Sequence, residues 1–151
     1  MKLYIEWNRT LTITRGKDLD FFVALEKIPE LPGIYIFGRK FKNKFEALYV
    51  GQGINIRNRV KGQLNTVKLM RHLKYAKSGR RVLIFGTIKR KQAQKIEKCL
   101  NLIERGLIRH FLDKGHDLVN VHGRRIPKHE IISTGWQPKK RIPGIINLSK
   151  K

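Results

Sequence analysis

Apolar residues recur along this chain with a period of two in some stretches and of three to four in others, and the change of period marks its elements. The densest signal is residues 31–64, LPGIYIFGRKFKNKFEALYVGQGINIRNRVKGQL. Two runs, 33–37 and 47–50, are rich in β-branched and aromatic residues and flank a charged segment, 38–46, that cannot be buried. They predict two strands paired across a basic turn. Asn55 then opens a helix in which Val60 and Leu64 follow Ile56 at helical spacing, with Arg57, Asn58 and Arg59 on the remaining faces.

Upstream, 2–7 and 10–14 read as strands joined by a tight turn at Asn8-Arg9, an N-terminal β-hairpin. Asp18-Leu19-Asp20 offers an N-cap to a short helix over 21–27, which must stop before Pro29 and Pro32. Downstream, 66–77 sets Val67, Met70 and Leu73 at helical spacing among basic residues, a surface helix ended by Ser78-Gly79. Residues 81–88, RVLIFGTI, form a nearly unbroken apolar run, as expected of a strand covered on both faces. The longest periodic stretch, 91–114, carries Ile96, Leu100, Ile103, Leu107 and Phe111 on one stripe and predicts a helix stopped by Gly115. After it come the apolar segment 118–121, the pair Ile131-Ile132, and a Pro-punctuated basic tail, 135–151, expected to be partly disordered.

Length and composition narrow the function. A chain of 151 residues with 40% hydrophobic content fits one domain, 1–151, with a real core. Its 34 Lys and Arg against 11 Asp and Glu give a net charge of +23, a self-repulsion most readily relieved by a polyanion. Between Glu30 and Glu97 the only acid is Glu46. Nucleic acid is the expected partner, and charge alone does not separate a DNA-processing protein from a structural RNA-binding protein. No apolar run approaches the roughly 20 residues of a spanning helix, and the N-terminus lacks the apolar core of a signal peptide, so the expected location is cytoplasmic, without membrane attachment. The single cysteine, Cys99, lies among apolar neighbours and reads as a buried structural thiol. Glu104 stands out at the edge of the apolar stripe of the long helix. A carboxylate there needs either an arginine partner or a divalent cation, and the residues alone leave both open.

The ordered set of these features resembles the GIY-YIG nucleases. Gly33-Ile34-Tyr35 is similar to the first signature and Tyr49-Val50-Gly51 to the second. Arg59 follows at the family's arginine distance, Glu104 precedes Leu107-Ile108 on a later helix, and Asn120 opens the closing segment. Taken singly, these residues read as strand aromatics, a solvated helix charge and a turn residue; their joint order carries the resemblance. It covers residues 32–121 and departs in two lengths: 13 residues lie between Tyr35 and Tyr49, and Asn120 follows Glu104 by 16. His116 to His122 superficially suggests a His-Asn-His metal nuclease, but the spacing is far too compressed.

The resemblance implies an α+β fold with a small three-stranded antiparallel sheet flanked by helices. Residues 1–28 would add the hairpin and short helix, and 122–151 a basic extension. It also implies a metal-dependent endonuclease acting on nucleic acid, DNA being the expected polymer. Glu104 would hold one Mg²⁺ or Mn²⁺, Arg59 would pair with the scissile phosphate, Tyr35 or Tyr49 would orient or activate water, and Asn120 would shape the site. Arg57, Lys61 and the cluster Lys139, Lys140 and Arg141 are the further candidate nucleic-acid contacts, with Gln63 a possible phosphate contact on the helix of Arg57. The competing expectation is a non-catalytic basic binder, either a degenerate nuclease fold or a structural RNA-binding protein.

Overall fold

A computed structural model describes residues 2–89, 95–119, 129–136 and 142–148. In chain order the elements are strands β1 (Lys2–Trp7), β2 (Leu11–Thr12), β3 (Thr14–Arg15) and β4 (Phe21–Phe22), a 3₁₀ turn (Leu25–Lys27), strands β5 (Gly33–Phe41) and β6 (Lys44–Gly53), helices α1 (Ile56–Gln63) and α2 (Val67–Tyr75), strand β7 (Arg80–Lys89), helix α3 (Ile96–Asp113), and strands β8 (His129–Gly135) and β9 (Ile145–Leu148). Among the described residues, no helix is long and apolar enough to cross a membrane.

The basic hairpin forms as its pattern predicts, and is longer. Pairing of β5 with β6 runs from Gly33↔Gly53 to Phe41↔Lys44, so the charged segment continues both strands and turns only at 42–43, where Lys42 takes a positive φ of 55°. Helix α1 starts as expected, with Asn55 Oδ1 accepting the Asn58 N–H at 3.1 Å. Strand β7 and helix α3 also follow the pattern, and Cys99 is buried in the α3 core. Helix α2 is rotated from expectation: Leu69, Met70 and Leu73 are buried, and Val67 faces solvent.

The expectation of a small three-stranded sheet is overturned. The strands build one seven-stranded mixed sheet in the order β6-β5-β7-β1-β8-β9, with β2 also on β7. The physical reason is the apolar alternation of β1, whose Leu3, Ile5 and Trp7 are buried on the face that α3 covers. Strand β7 has a second edge to fill, and β1 fills it antiparallel, from Tyr4↔Lys89 to Trp7↔Gly86. Strand β8 then pairs parallel to β1, and β9 antiparallel to β8.

The N-terminal hairpin is also corrected. Strands β1 and β2 both lie against β7, and Asn8, Arg9 and Thr10 stand opposite only Ile84 and Phe85. That surplus residue is a bulge in one long strand, closed by the Asn8 N–H on the Phe85 carbonyl at 2.9 Å. Nor is there a helix over 21–27. Phe21 and Phe22 pair with Arg15 and Thr14, and only a single 3₁₀ turn follows. The basic extension is in part structural, since Ile142 and Ile146 are buried in the core and β9 extends the sheet.

Alternation along β5 assigns the two faces. Ile34 and Ile36 join the α3 side with Leu100, Ile103 and Leu107, while Tyr35 and Phe37 join α1, α2 and the 13–28 segment. A polar knot ties the hairpin to the end of α3. Glu46 accepts from Arg39 Nε at 2.7 Å and from the Asp117 N–H at 3.2 Å, and His116 Nδ1 accepts the Ala47 N–H at 2.8 Å. An imidazolium could not accept that bond.

Burial pushes the His116 pKa below its ordinary value, with His110 and Arg39 adding to the effect and Glu46 opposing it. The folded pKa therefore lies below the unfolded one, near 6.5, and the contribution is complete above that value and lost as the pH falls through it. His110, also lowered by burial and then by Lys114, acts in the same window. Partial burial raises the Glu46 pKa, but Arg39, the Asp117 N–H and His116 outweigh it, so its contribution holds until the pH drops below about 4.5. Thermal melts should show a steady Tm from pH 8 to 7 and a decline between about pH 6.5 and 5. His116→Asn, whose amide oxygen can still accept from Ala47, should decline less steeply. A Tm flat down to pH 5 would remove His116 from this role.

Candidate functional site

Tyr35 and Tyr49 sit on neighbouring strands and point to the α1 face, their rings stacked at 6.1 Å with a 26° interplanar angle. Gln63, in the last turn of α1, donates from Nε2 to both phenol oxygens at 3.2 Å. The Arg59 guanidinium lies close enough to the Tyr35 hydroxyl to act on its acidity. Two glycines make the convergence possible. A Cβ on Gly51 would overlap Cζ and Oη of Tyr35, and one on Gly53 would overlap Cγ of Arg59. The glycine that ends the second signature is thus the seat of the Tyr35 phenol.

The two phenols are not equivalent. Tyr35 is wholly buried, and burial, reinforced by Tyr49, raises its pKa far above that of a free phenol; Arg59 and Gln63 only partly offset the rise. At neutral pH it is a fixed hydroxyl and not a base. Tyr49 and Gln63 are half-buried and Arg59 exposed, so those three, unlike Tyr35, are within reach of a ligand.

Glu104 stands on α3, which packs on the opposite face of the sheet, and is half-buried. The two halves of the expected site meet around the free edge of β6. A cleft of about 510 Å³ is lined by Gln52, Gly53, Asn58 and Arg59, and an adjoining one of about 910 Å³ by Lys98, Glu104 and Arg105. Both include Ile54, Glu97 and Asn101, which makes them one continuous groove. Gln52 bridges it, donating from Nε2 to Asn101 Oδ1 at 2.9 Å. The Val119 N–H bonds to the Leu48 carbonyl at 2.8 Å, which brings the chain just before Asn120 to β6.

The remaining candidates divide. Lys61 is exposed on α1. Arg57, expected on nucleic acid, is half-buried and bonds to its own chain: Nε donates to the Ile28 carbonyl at 2.7 Å, Nη1 to Glu30 at 2.8 Å and Nη2 to the Glu26 carbonyl at 3.4 Å. It anchors α1 to the segment that replaces the expected short helix. Asn120, Lys139, Lys140 and Arg141 lie outside the described residues. Sequence reasoning gave Gln63 only a phosphate role and passed over Gln52, Glu97 and Asn101. Gln63 was findable, since it follows Arg59 by one helical turn.

Among the described residues, no three His, Cys, Asp or Glu side chains gather into a protein-only metal cage. The donors along the groove are nonetheless hard oxygens, the carboxylates of Glu104 and Glu97 and the amide of Asn101. That donor chemistry suits a Mg²⁺ held by one or two carboxylates, waters and substrate phosphate. No family model matches the chain, and no curated protein or solved structure does either.

Proposed function

We propose that this chain is a GIY-YIG-type endonuclease that hydrolyses phosphodiester bonds of nucleic acid, with DNA the expected substrate and Mg²⁺ or Mn²⁺ the cofactor. The observation that carries the reading is the cluster of Tyr35, Tyr49 and Gln63 with Arg59, the member that lines a groove continuing to Glu104 around the β6 edge.

Within this reading Arg59 pairs its planar fork with the nonbridging oxygens of the scissile phosphate and offsets the charge that builds there. Tyr49, the more open phenol, orients the attacking water, while Tyr35 stays protonated and holds Arg59 and Gln63 in register. Glu104 would hold the cation, with Glu97 and Asn101 as further oxygen donors lining the same cleft. A bound Mg²⁺ supplies charge neutralisation and a more acidic coordinated water. A single half-buried carboxylate in a groove with Lys98 and Arg105 suits an ion that arrives with its substrate.

The burial of Tyr35 favours a second reading, a non-catalytic nucleic-acid binder, because a phenol sealed in this way cannot take a proton from water. Nicking of supercoiled plasmid with Mg²⁺, abolished by EDTA, separates the two. Arg59→Lys should then nick at least about a hundredfold more slowly, since an ammonium cannot reproduce the bidentate fork. Near-normal turnover in Arg59→Lys would return Arg59 to the surface, and no nicking by the wild type on DNA or RNA would leave the binder.

A further inference from the structure

At the far end of the same sheet face, where α2 ends and β7 begins, lies a cleft of about 490 Å³ that the candidate site does not use. Arg15, Lys74, Arg80 and Arg81 line it, together with Ser78 and Gly79, and among the described residues no acidic side chain does. Two arginines at this end are already spent on the protein. Arg81 donates to the carbonyls of Leu73 at 2.7 Å, Ala76 at 2.9 Å, Lys77 at 3.0 Å and Gly79 at 2.8 Å, capping the end of α2. Arg39 holds Glu46 and the Ser78 carbonyl, each at 2.7 Å. Among the described residues, no ion pair to a carboxylate occupies Arg15, Lys74 or Arg80.

Arg81 therefore cancels the carbonyl oxygens that would repel an anion at a helix C-terminus, and three cations remain for an outside ligand. The surplus is electrostatically visible: burial, then Arg39 and Arg15, weaken the hold of Arg81 on its proton. Beside the cleft, Tyr75 is 72% exposed, and Lys74 Nζ lies 5.4 Å from its ring centre. Lys68 and Arg71 precede Tyr75 on the exposed face of α2, a helix roughly 13 Å long.

We propose that this cleft is a second nucleic-acid contact, in which Arg15, Lys74 and Arg80 take successive backbone phosphates of an unpaired strand while Tyr75 stacks on an adjoining base. The cations fit any polyanion; the protruding ring selects an unpaired base, since bases inside a duplex offer no free face. This rests on the reading of nucleic acid as the partner, and not on cleavage.

The test is fluorescence anisotropy of the full chain, in EDTA, with a labelled 20-mer oligothymidylate and a duplex of the same length, titrated with salt. Tyr75→Ala should weaken oligothymidylate binding about tenfold and duplex binding less than twofold, and Tyr75→Phe should restore it. Lys74→Ala with Arg80→Ala should reduce the slope of log affinity against log salt by roughly 1.4 on the single strand, as expected for two lost phosphate contacts. Unchanged oligothymidylate affinity in Tyr75→Ala, an unchanged slope in the double variant, or competition by polyglutamate equal to that of oligothymidylate overturns the proposal. A wild type that nicks nothing yet shows the Tyr75 effect loses the nuclease reading and keeps this contact. One that nicks normally while Tyr75→Ala binds normally does the reverse.

Discussion

Glu104→Gln should lose Mg²⁺-dependent nicking by about a thousandfold, the loss of several kcal/mol of transition-state stabilisation, while binding the same nucleic acid as tightly as the wild type or more tightly. The substitution keeps the side chain's shape at a half-buried position of α3 and removes one negative charge from a groove that also holds Lys98 and Arg105. Reduced cleavage with undiminished binding separates a metal-ligand role from a general loss of fold, and a thermal melt of the variant completes the comparison. Wild-type nicking by Glu104→Gln would remove the metal-site assignment. Because the tyrosines and Glu104 lie on opposite faces of the sheet and meet only around β6, Glu104 also reports whether substrate spans that edge.

A chain ending at Thr134 should fail to melt cooperatively. Such a chain lacks β9, the Gly144 carbonyl that accepts the Ser133 N–H at 2.8 Å, and the Trp136 N–H that bonds Trp7 at 3.1 Å. It also lacks Ile142 and Ile146, which are 1% and 8% exposed. Burial of two isoleucines contributes about 3–6 kcal/mol, a large share of the roughly 5–15 kcal/mol that holds a domain of this kind together. Circular dichroism on both lengths checks this, and a truncated chain melting within about 5 °C of the full one would sink it. Affinity contributed by Lys139, Lys140 and Arg141 should be probed by replacing those three with glutamine, which spares the strand that follows.

Local signals were legible and distant pairings were not. The basic hairpin, the Asn55 cap, β7 and α3 could be read because each is fixed by periodicity within its own residues. Strand β1 was visible as a strand, but its partners β7 and β8 lie some 80 to 130 positions away, and nothing within residues 2–12 distinguishes a bulge at Asn8-Arg9 from a turn. Ile145-Ile146 in a proline-punctuated tail carries too short a pattern to announce β9. At the site, motif order selected Tyr35, Tyr49 and Arg59, which the fold brings together. Arg57 reads from the sequence as a further nucleic-acid contact on the helix of Arg59; only the tertiary position of Ile28 and Glu30 shows that its guanidinium also bonds within the protein.

The place of β1 in the sheet has a consequence for biosynthesis. Strand β1 is made well before its partners β7 and β8, so Lys2 waits for Glu130 before its second ladder closes. Contacts of that sequence separation slow folding, because the loop entropy must be overcome before the pairing is gained. A nascent chain paused on the ribosome before residue 129 presents the alternating apolar face of Leu3, Ile5 and Trp7 beside an open row of backbone donors and acceptors. That half-built sheet is a natural target for chaperones and, at high expression, a seed for edge-to-edge aggregation, so slower translation at low temperature should favour recovery of folded protein.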